Sequence, residues 1–293
     1  MSAGPVILIL GANGQVGTEL QRSFAGVGAI TACDRKLADL SRPEELRPLI
    51  RKLRPQVILN AAAYTAVDRA ESEADLAMAI NGDAPRVLAE EAAKLDALLV
   101  HYSTDYVFDG SKTSPWVEND ATNPLNIYGK TKRAGEQGIE AVGGRYFIFR
   151  TSWVYGPHGH NFLRTMLRLG SERDQLKIVD DQFGAPTSSI AIADATRAAV
   201  NKAITARARY GVYHLTCGGE TTWCRFAQEI FEQNQQKSGT RSPEVIAIPS
   251  SAYPTPAVRP ANSVLSNEKL KRELGIMLPD WREALHTTMH LLA

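Results

Sequence analysis

What this chain has little of narrows it first. Its 293 residues include only three cysteines, Cys33, Cys217 and Cys224. They are too few and too scattered for a disulfide framework, and their spacing fits no zinc-ligand pattern. Cys33, at a strand end, reads as a small buried hydrophobe. Neither sign of charge dominates: 33 Lys and Arg stand against 32 Asp and Glu, with no long run of either. Composition therefore gives no support for nucleic acid or an anionic membrane as a partner. No segment approaches the roughly 20 apolar residues of a membrane-spanning helix. The apolar run at residues 5–10 is too short for a signal segment, lacks a basic flank and meets Gly11 at once. A cytoplasmic protein is the expectation. Internal repeats and low-complexity segments are also lacking. His158 and His160 flank Gly159, and His286 and His290 stand four apart. Neither pair has a carboxylate or a third ligand nearby, so neither is expected to hold a metal; whether a metal bridges subunits stays open.

What is present points to an α/β protein. With 44% hydrophobic residues the chain can bury one large or two unequal cores. Residues 6–10 read as a strand buried on both faces, followed by Gly11-Ala12-Asn13-Gly14-Gln15-Val16-Gly17 and a helical pattern through Leu20 and Phe24. Glycines at this spacing between strand and helix allow a tight turn, close approach of a pyrophosphate and close helix–sheet packing. The helix then offers its free amides to phosphates. A second strand, 29–33, ends at Asp34-Arg35. An acid there suits the ribose hydroxyls of NAD, and the adjacent guanidinium suits the extra phosphate of NADP, so both NADH and NADPH stay open. Ser41-Arg42-Pro43-Glu44 reads as a capping box opening a helix to about residue 53, with Asp39-Leu40 ahead of it where a loop could cover an adenine. A third strand, 56–59, leads into Asn60-Ala61-Ala62-Ala63, small residues that suit either a close-lying cofactor or tight helix packing. A helix over 83–94 and a strand over 97–102 follow, the strand ending in Ser103-Thr104-Asp105. Ligands of open α/β sheets bind beyond the carboxyl ends of strands, which places these three well.

The next stretch, Asn123-Pro124-Leu125-Asn126-Ile127-Tyr128-Gly129-Lys130-Thr131-Lys132, reads as a helix start with Asn123 as cap. Tyr128 and Lys132, four apart, share one helix face, whereas Lys130 does not. A phenol of pKa near ~10 is a poor acid–base group at neutral pH. An ammonium at ~4 Å and an effective dielectric of ~20 favours its anion by about 4 kcal/mol, enough to bring it towards the working pH. On spacing alone, an amphipathic helix with a solvated lysine fits the same residues. A fifth strand is expected over 146–149. Beyond it the alternation loosens into helices at 161–169, 190–206 and 222–235 and short strands at 212–215 and 245–248, separated by loops rich in Pro and Gly. The expected architecture is a Rossmann-like doubly wound parallel sheet over residues 1–155 that binds NAD(P), with return of later segments to it left open. Residues 156–293 would form mainly a smaller α/β substrate lobe.

The glycine turn, Ser103-Thr104-Asp105-Tyr106-Val107-Phe108 and Tyr128-x-x-x-Lys132, in this order, resemble the extended short-chain dehydrogenase/reductase family. Longer strings narrow the resemblance: residues 60–68, His101-Tyr102-Ser103-Thr104-Asp105, residues 149–156, residues 181–187 and Tyr253-Pro254-Thr255-Pro256-Ala257-Val258-Arg259-Pro260. They are similar to the dTDP-4-dehydrorhamnose reductase branch of that family, over nearly the whole chain. The resemblance implies NADH- or NADPH-dependent reduction of the C4 keto group of a dTDP-4-keto-6-deoxy sugar. Tyr128 would be the proton donor, Lys132 would lower its pKa and bond the nicotinamide ribose, and Thr104 would hold the third catalytic position. Asn81 stands at the place of the family's relay asparagine. Cofactor contacts are expected from Gly11, Asn13, Gly14, Gln15, Val16, Gly17, Asp34, Arg35, Asp39, Leu40, Ala61, Ala62, Ala63 and Thr65, with Tyr128 and Lys132. Substrate contacts are expected from Thr104, Asp105 and Trp153, and at the nucleotide end from Asn161, Gln182 and Arg259, where a guanidinium suits a diphosphate. On spacing alone Trp153 reads as core packing. Two other readings keep the same fold: a non-catalytic NAD(P)-binding regulatory subunit, and an epimerase–reductase acting on a GDP-sugar. An intact Thr104, Tyr128 and Lys132 counts against the first, and no second acid–base pair supports the other. A homodimer is left open.

Overall fold

The apolar strand runs are buried on both faces because helices cover the sheet on either side. In the computed structural model, which describes residues 4–205 and 208–292, six parallel strands form the central sheet. They are β1 (Val6–Leu10), β2 (Ala29–Cys33), β3 (Val57–Asn60), β4 (Leu98–Thr104), β5 (Tyr146–Thr151) and the strand Gly211–His214. Their spatial order is Gly211–His214, β5, β4, β3, β1, β2. Side chains alternate across the sheet with period two. Ile7, Ile9, Val57 and Leu59 pack with the helices Gln15–Ser23 and Ser189–Thr205 on one face. Leu8, Leu10 and Ile58 pack with the helices Leu46–Leu53, Ala84–Lys94 and Ile127–Val142 on the other. A further core gathers Tyr155, Leu163, Met166, Phe226, Ile230, Trp281 and Leu285 around the helices Phe162–Glu172, Trp223–Ser238 and Trp281–Leu291. A parallel pair of strands, Gln175–Val179 and Glu244–Ile248, lies beside it.

The chain after residue 156 is therefore divided. The helix expected over 190–206 is Ser189–Thr205, with Ala206 outside the described residues, and it packs against Gln15–Ser23. The strand after it, Gly211–His214, pairs in parallel with β5 and completes the sheet instead of joining the smaller core. Two expected caps are not made. Asp39 Oδ1 accepts both the Ser41 N–H, at 3.0 Å, and the Ser41 hydroxyl, at 2.8 Å. The hydroxyl is oriented towards Asp39 and caps no helix, and a 3₁₀ turn, Pro43–Glu45, precedes the helix Leu46–Leu53. Asn123 spends its amide on Asp109 Oδ2 at 3.0 Å. The long helix starts instead at Ile127, capped by Asn126, whose Oδ1 accepts the Gly129 N–H at 2.8 Å. Tyr128 stays in the first turn.

Strand order reverses between β1 and β3, which lie side by side although β1 connects to β2. Doubly wound sheets bind ligands at this switch point, outside the carboxyl ends of the strands. Gly11 follows β1 there with φ +77°, and a Cβ on it would stand 2.7 Å from the Ala62 amide nitrogen after β3. A Cβ on Gly17 would stand 2.1 Å from the Gly11 carbonyl oxygen, so this glycine sets the approach of helix to turn. Gly26 shares the positive φ of Gly11, at +79°, but has nothing within 4 Å of a built Cβ. Gly26→Ala is therefore expected to lose about 1–2 kcal/mol from backbone conformation alone. Gly11→Ala must lose more, because the β1–β3 approach has to open. Chemical denaturation of the two variants checks the order, and equal losses would show that the close approach carries no energy.

Candidate active site

The cofactor-side residues gather at that switch point. Gly14 precedes the helix Gln15–Ser23 and offers no side-chain cap, so the first-turn amides of Gln15 and Val16 remain available to an anion. Asp34, at the end of β2, accepts the backbone N–H groups of Lys36 (3.0 Å) and Leu37 (3.2 Å) through Oδ1. Its Oδ2 meets Asn13 Nδ2 at 3.4 Å. Arg35 is exposed and lies 3.5 Å from Asp39. Leu40 is buried beneath that loop, Ala61, Ala62 and Ala63 are half-buried next to Gly11, and Thr65 is exposed. The turn is thus built as a cradle: a side chain at Gly11 would fill it, and it is lined with N–H donors that suit a dinucleotide.

Thr104, the last residue of β4, and Asp105 just beyond it are buried beside the first turn of the long helix. Thr104 Oγ1 donates to Asp105 Oδ1 at 2.8 Å and accepts the Tyr106 N–H at 3.1 Å. The Tyr128 phenol lies close enough to the same hydroxyl to feel it. Burial pushes Tyr128 up to about 12, and the Thr104 hydroxyl pulls it back only in part. Because the ring is half-exposed, the direction is what matters: the phenol holds its proton. Burial also pushes Asp105 up to about 6, against the pull of the Ser263 and Thr104 hydroxyls. Asp105 Oδ2 has no partner of ordinary hydrogen-bond geometry.

Lys132 is buried to 1% exposure. Nζ donates to the Tyr102 carbonyl at 2.6 Å and meets His101 Nε2 at 3.2 Å. Desolvation brings it down to about 8. Burial of the phenol itself is the largest influence on Tyr128. Asn81 is also buried, in a π-helical turn (Ala79–Asp83). It accepts the Tyr64 N–H at 2.9 Å and donates to the Tyr64 carbonyl at 3.0 Å and to Thr131 Oγ1 at 3.2 Å. Tyr106 meets Tyr128 edge-on, with ring centroids 5.7 Å apart.

The substrate-side expectations are met unevenly. A cleft of about 960 Å³ is lined by Phe162, Met166, Gln182, Trp223, Tyr253 and Arg259 among others. Gln182 donates to Ser250 Oγ at 2.9 Å. Trp153 stacks on Trp223 at 3.7 Å between centroids, with φ +47°, a left-handed backbone that is an outlier for so large a residue. Arg259 borders the cleft, but its guanidinium is already held in a fork by Asp68, at 3.0 and 2.8 Å. Asn161 is placed elsewhere. It caps the helix Phe162–Glu172 by accepting the Arg164 N–H, and it donates to Gln15 Oε1 at 2.9 Å, beside the glycine turn. Its amide serves lobe-to-turn packing because the chain folds back at Gly156. Asp68, Tyr106 and His101 lie inside the strings that carry the resemblance but are given no role there; each joins the site through neighbours distant in the chain. Among the described residues no three His, Cys, Asp or Glu side chains gather as a metal site, and no helix is long and apolar enough to cross a membrane.

A family model described as the RmlD substrate binding domain matches residues 5–293. The chain is 51% identical to a dTDP-4-dehydrorhamnose reductase of Burkholderia thailandensis, over 95% of this chain and 96% of that one. It is 48% identical to one of Salmonella typhimurium, over 94% of each. The chain belongs to the dTDP-4-dehydrorhamnose reductase family. Within the family, the crystal structure of a Clostridium acetobutylicum reductase superposes with a TM-score of 0.92 at 38% identity, covering 98% of this chain and 99% of that one. A Bacillus anthracis reductase in complex with NADP also superposes at 0.92, with 34% identity over 98% and 99% of the two chains.

Asp105 gives the site a stability signature. Its folded pKa, about 6, lies above the ordinary 3.8, so the native state binds the extra proton. Stability from this group is full below pH 4, falls as pH rises towards 6, and stays lost above. Asp105→Asn is expected to stabilise the protein at pH 7.5 by roughly 1–3 kcal/mol and to have little effect at pH 4. Urea denaturation at the two pH values checks this, and a variant less stable at pH 7.5 would contradict it.

Proposed function

We propose that this chain reduces the C4 keto group of dTDP-4-dehydro-6-deoxy-L-mannose to give dTDP-L-rhamnose, with NADH or NADPH as reductant. The observation that carries this reading is Tyr128 in the first turn of the long helix, next to Thr104 and Asp105 at the carboxyl end of β4, in a chain of this reductase family. The reduced nicotinamide, when bound, supplies the hydride. The first-turn amides after Gly14 and the side chains of Asn13 and Asp34 would hold its dinucleotide, and exposed Arg35 leaves room for either form. Residues 1–155, with Ser189–Thr205 and Gly211–His214, would form the cofactor half, and the remaining lobe would hold the sugar nucleotide.

Adding hydride to a carbonyl builds negative charge on oxygen, and a positioned acid removes it. Tyr128 suits the reductive direction because burial keeps its proton on at neutral pH. An alkoxide is more basic than a phenolate, so the phenol proton moves to the sugar oxygen downhill. Thr104 orients the phenol. Its hydroxyl, fixed by Asp105 Oδ1 and the Tyr106 N–H, would meet the phenol and aim it. Asp105 Oδ2 is a buried acceptor that a sugar hydroxyl would satisfy. Lys132, fixed by Tyr102 and His101, would bond the nicotinamide ribose. The stacked Trp153–Trp223 pair and the cleft beside it would take the apolar faces of sugar and base.

Oxidation of NADH and NADPH, followed by absorbance with freshly made dTDP-4-keto sugar, tests the reading. Tyr128→Phe is expected to lower kcat by about 10²–10⁴-fold with cofactor affinity retained. A wild type that binds cofactor but never turns over would favour the regulatory-subunit reading. Turnover of a GDP-keto sugar instead would shift the substrate class, and full activity of Tyr128→Phe would overturn the assignment of the acid.

A further inference from the structure

The Lys132 amine ends a chain of hydrogen bonds that starts at the backbone of the cofactor cradle. Asn60, the last residue of β3, pairs across the sheet with His101 of β4, and both are buried to 1% exposure. The Ala62 N–H meets Asn60 Oδ1 at 3.3 Å, Asn60 Nδ2 meets His101 Nδ1 at 3.0 Å, and His101 Nε2 meets Lys132 Nζ at 3.2 Å. Nζ in turn donates to the Tyr102 carbonyl at 2.6 Å. A backbone N–H can only donate, so the Asn60 atom facing Ala62 is the oxygen and the atom facing His101 is the NH₂ group. His101 Nδ1 must then accept, and a neutral imidazole with an accepting Nδ1 carries its proton on Nε2, facing the lysine.

The direction of the chain has a consequence for charge. Donors and acceptors match from Ala62 to Tyr102 when Lys132 is a neutral amine, whose lone pair receives the Nε2 proton. An ammonium in the same place would set N–H against N–H. To accept from it, His101 must move its proton to Nδ1 and Asn60 must turn its oxygen inward, giving up the Ala62 bond. We propose that His101, its tautomer fixed by Asn60, is a positioning residue that sets the charge state of Lys132. The inference rests on the role given to Lys132 above.

The groups facing this amine are few. His101 stands on β4, and burial together with the nearby lysine holds it well below the ordinary histidine value, so it acts as a neutral ring. On the lysine's own helix the one acid acting on it is Glu136. That carboxylate is already gripped by Arg150 at 2.8 and 2.7 Å and by Arg133 at 3.1 Å. The descent of Lys132 to about 8 agrees with a chain that favours the neutral amine.

Asn60→Asp tests the proposal, because a carboxylate can only accept. It would take both the Ala62 N–H and a proton on His101 Nδ1, leaving the Nε2 lone pair for the lysine ammonium. Nitrogen NMR of ¹⁵N-histidine-labelled whole protein reads the tautomer without substrate. The wild type is expected to carry the His101 proton on Nε2, and Asn60→Asp on Nδ1. In turnover, the fall of kcat/KM above the lysine pKa should move up by about one pH unit in Asn60→Asp. The shift should vanish when His101→Leu is added. A wild-type proton on Nδ1 overturns the proposal, as does a shift of the same size without His101, which would be a through-space charge effect. If Asn60→Asp does not fold, Asn60→Leu releases the tautomer and should move the limb the same way by less; no movement overturns the proposal. A wild type without turnover would overturn the reductase reading instead, and the NMR result would still decide the tautomer.

Discussion

An amine buried between a sheet and a helix is the constraint on which the site depends. Removing an ammonium from water is costly unless its hydrogens find acceptors. Lys132 is held by the Tyr102 carbonyl, which accepts from it, and by the His101 ring, both on β4. Those contacts fix the long helix against the carboxyl end of the sheet. With the helix fixed, Tyr128, one turn earlier, is set beside Thr104 at the end of the same strand. One desolvated group thus determines where the proton donor stands.

The surrounding charges keep that arrangement intact. Glu136, one turn after Lys132 on the same helix, could have drawn the lysine away. It is instead held by a two-pronged bond from Arg150 of β5 and by Arg133. Breaking such a buried pair by removing one partner leaves an uncompensated charge, which is why the two residues act as a unit. Asp105 shows the opposite choice: an acid held in a low-dielectric position with one oxygen unpartnered. Strain at Trp153 has the same character, since the backbone is held in a disfavoured region to stack the indole on Trp223. Both features favour an arrangement for binding over stability.

Much of the fold was legible because its signals are local. The five β strands announce themselves as apolar runs ending in turn residues, and the glycine turn carries its own reason in the contact of Gly11 with Ala62. Tyr128 and Lys132 follow from helical spacing. The return of Gly211–His214 to the main sheet was less legible, because a short strand after a helix carries no mark of which sheet it will join. The caps at Ser41 and Asn123 were misread for a related reason. Each residue type can satisfy a helix end, but donation to a nearby acid, Asp39 or Asp109, orients the side chain elsewhere.

The sequence by itself determined the class of the fold, the cradle for a dinucleotide and the identities of the groups that can give a proton or hold a charge. These depend on residue type and near-neighbour spacing, which the chain carries in one dimension. Only the tertiary structure decided the electrostatic state of those groups. Burial favours the protonated Tyr128, Lys132 is held by His101 and the Tyr102 carbonyl, and Arg259 pairs with Asp68. Desolvation and long-range hydrogen bonding set these states, and both come from partners that meet only when the strands are laid side by side.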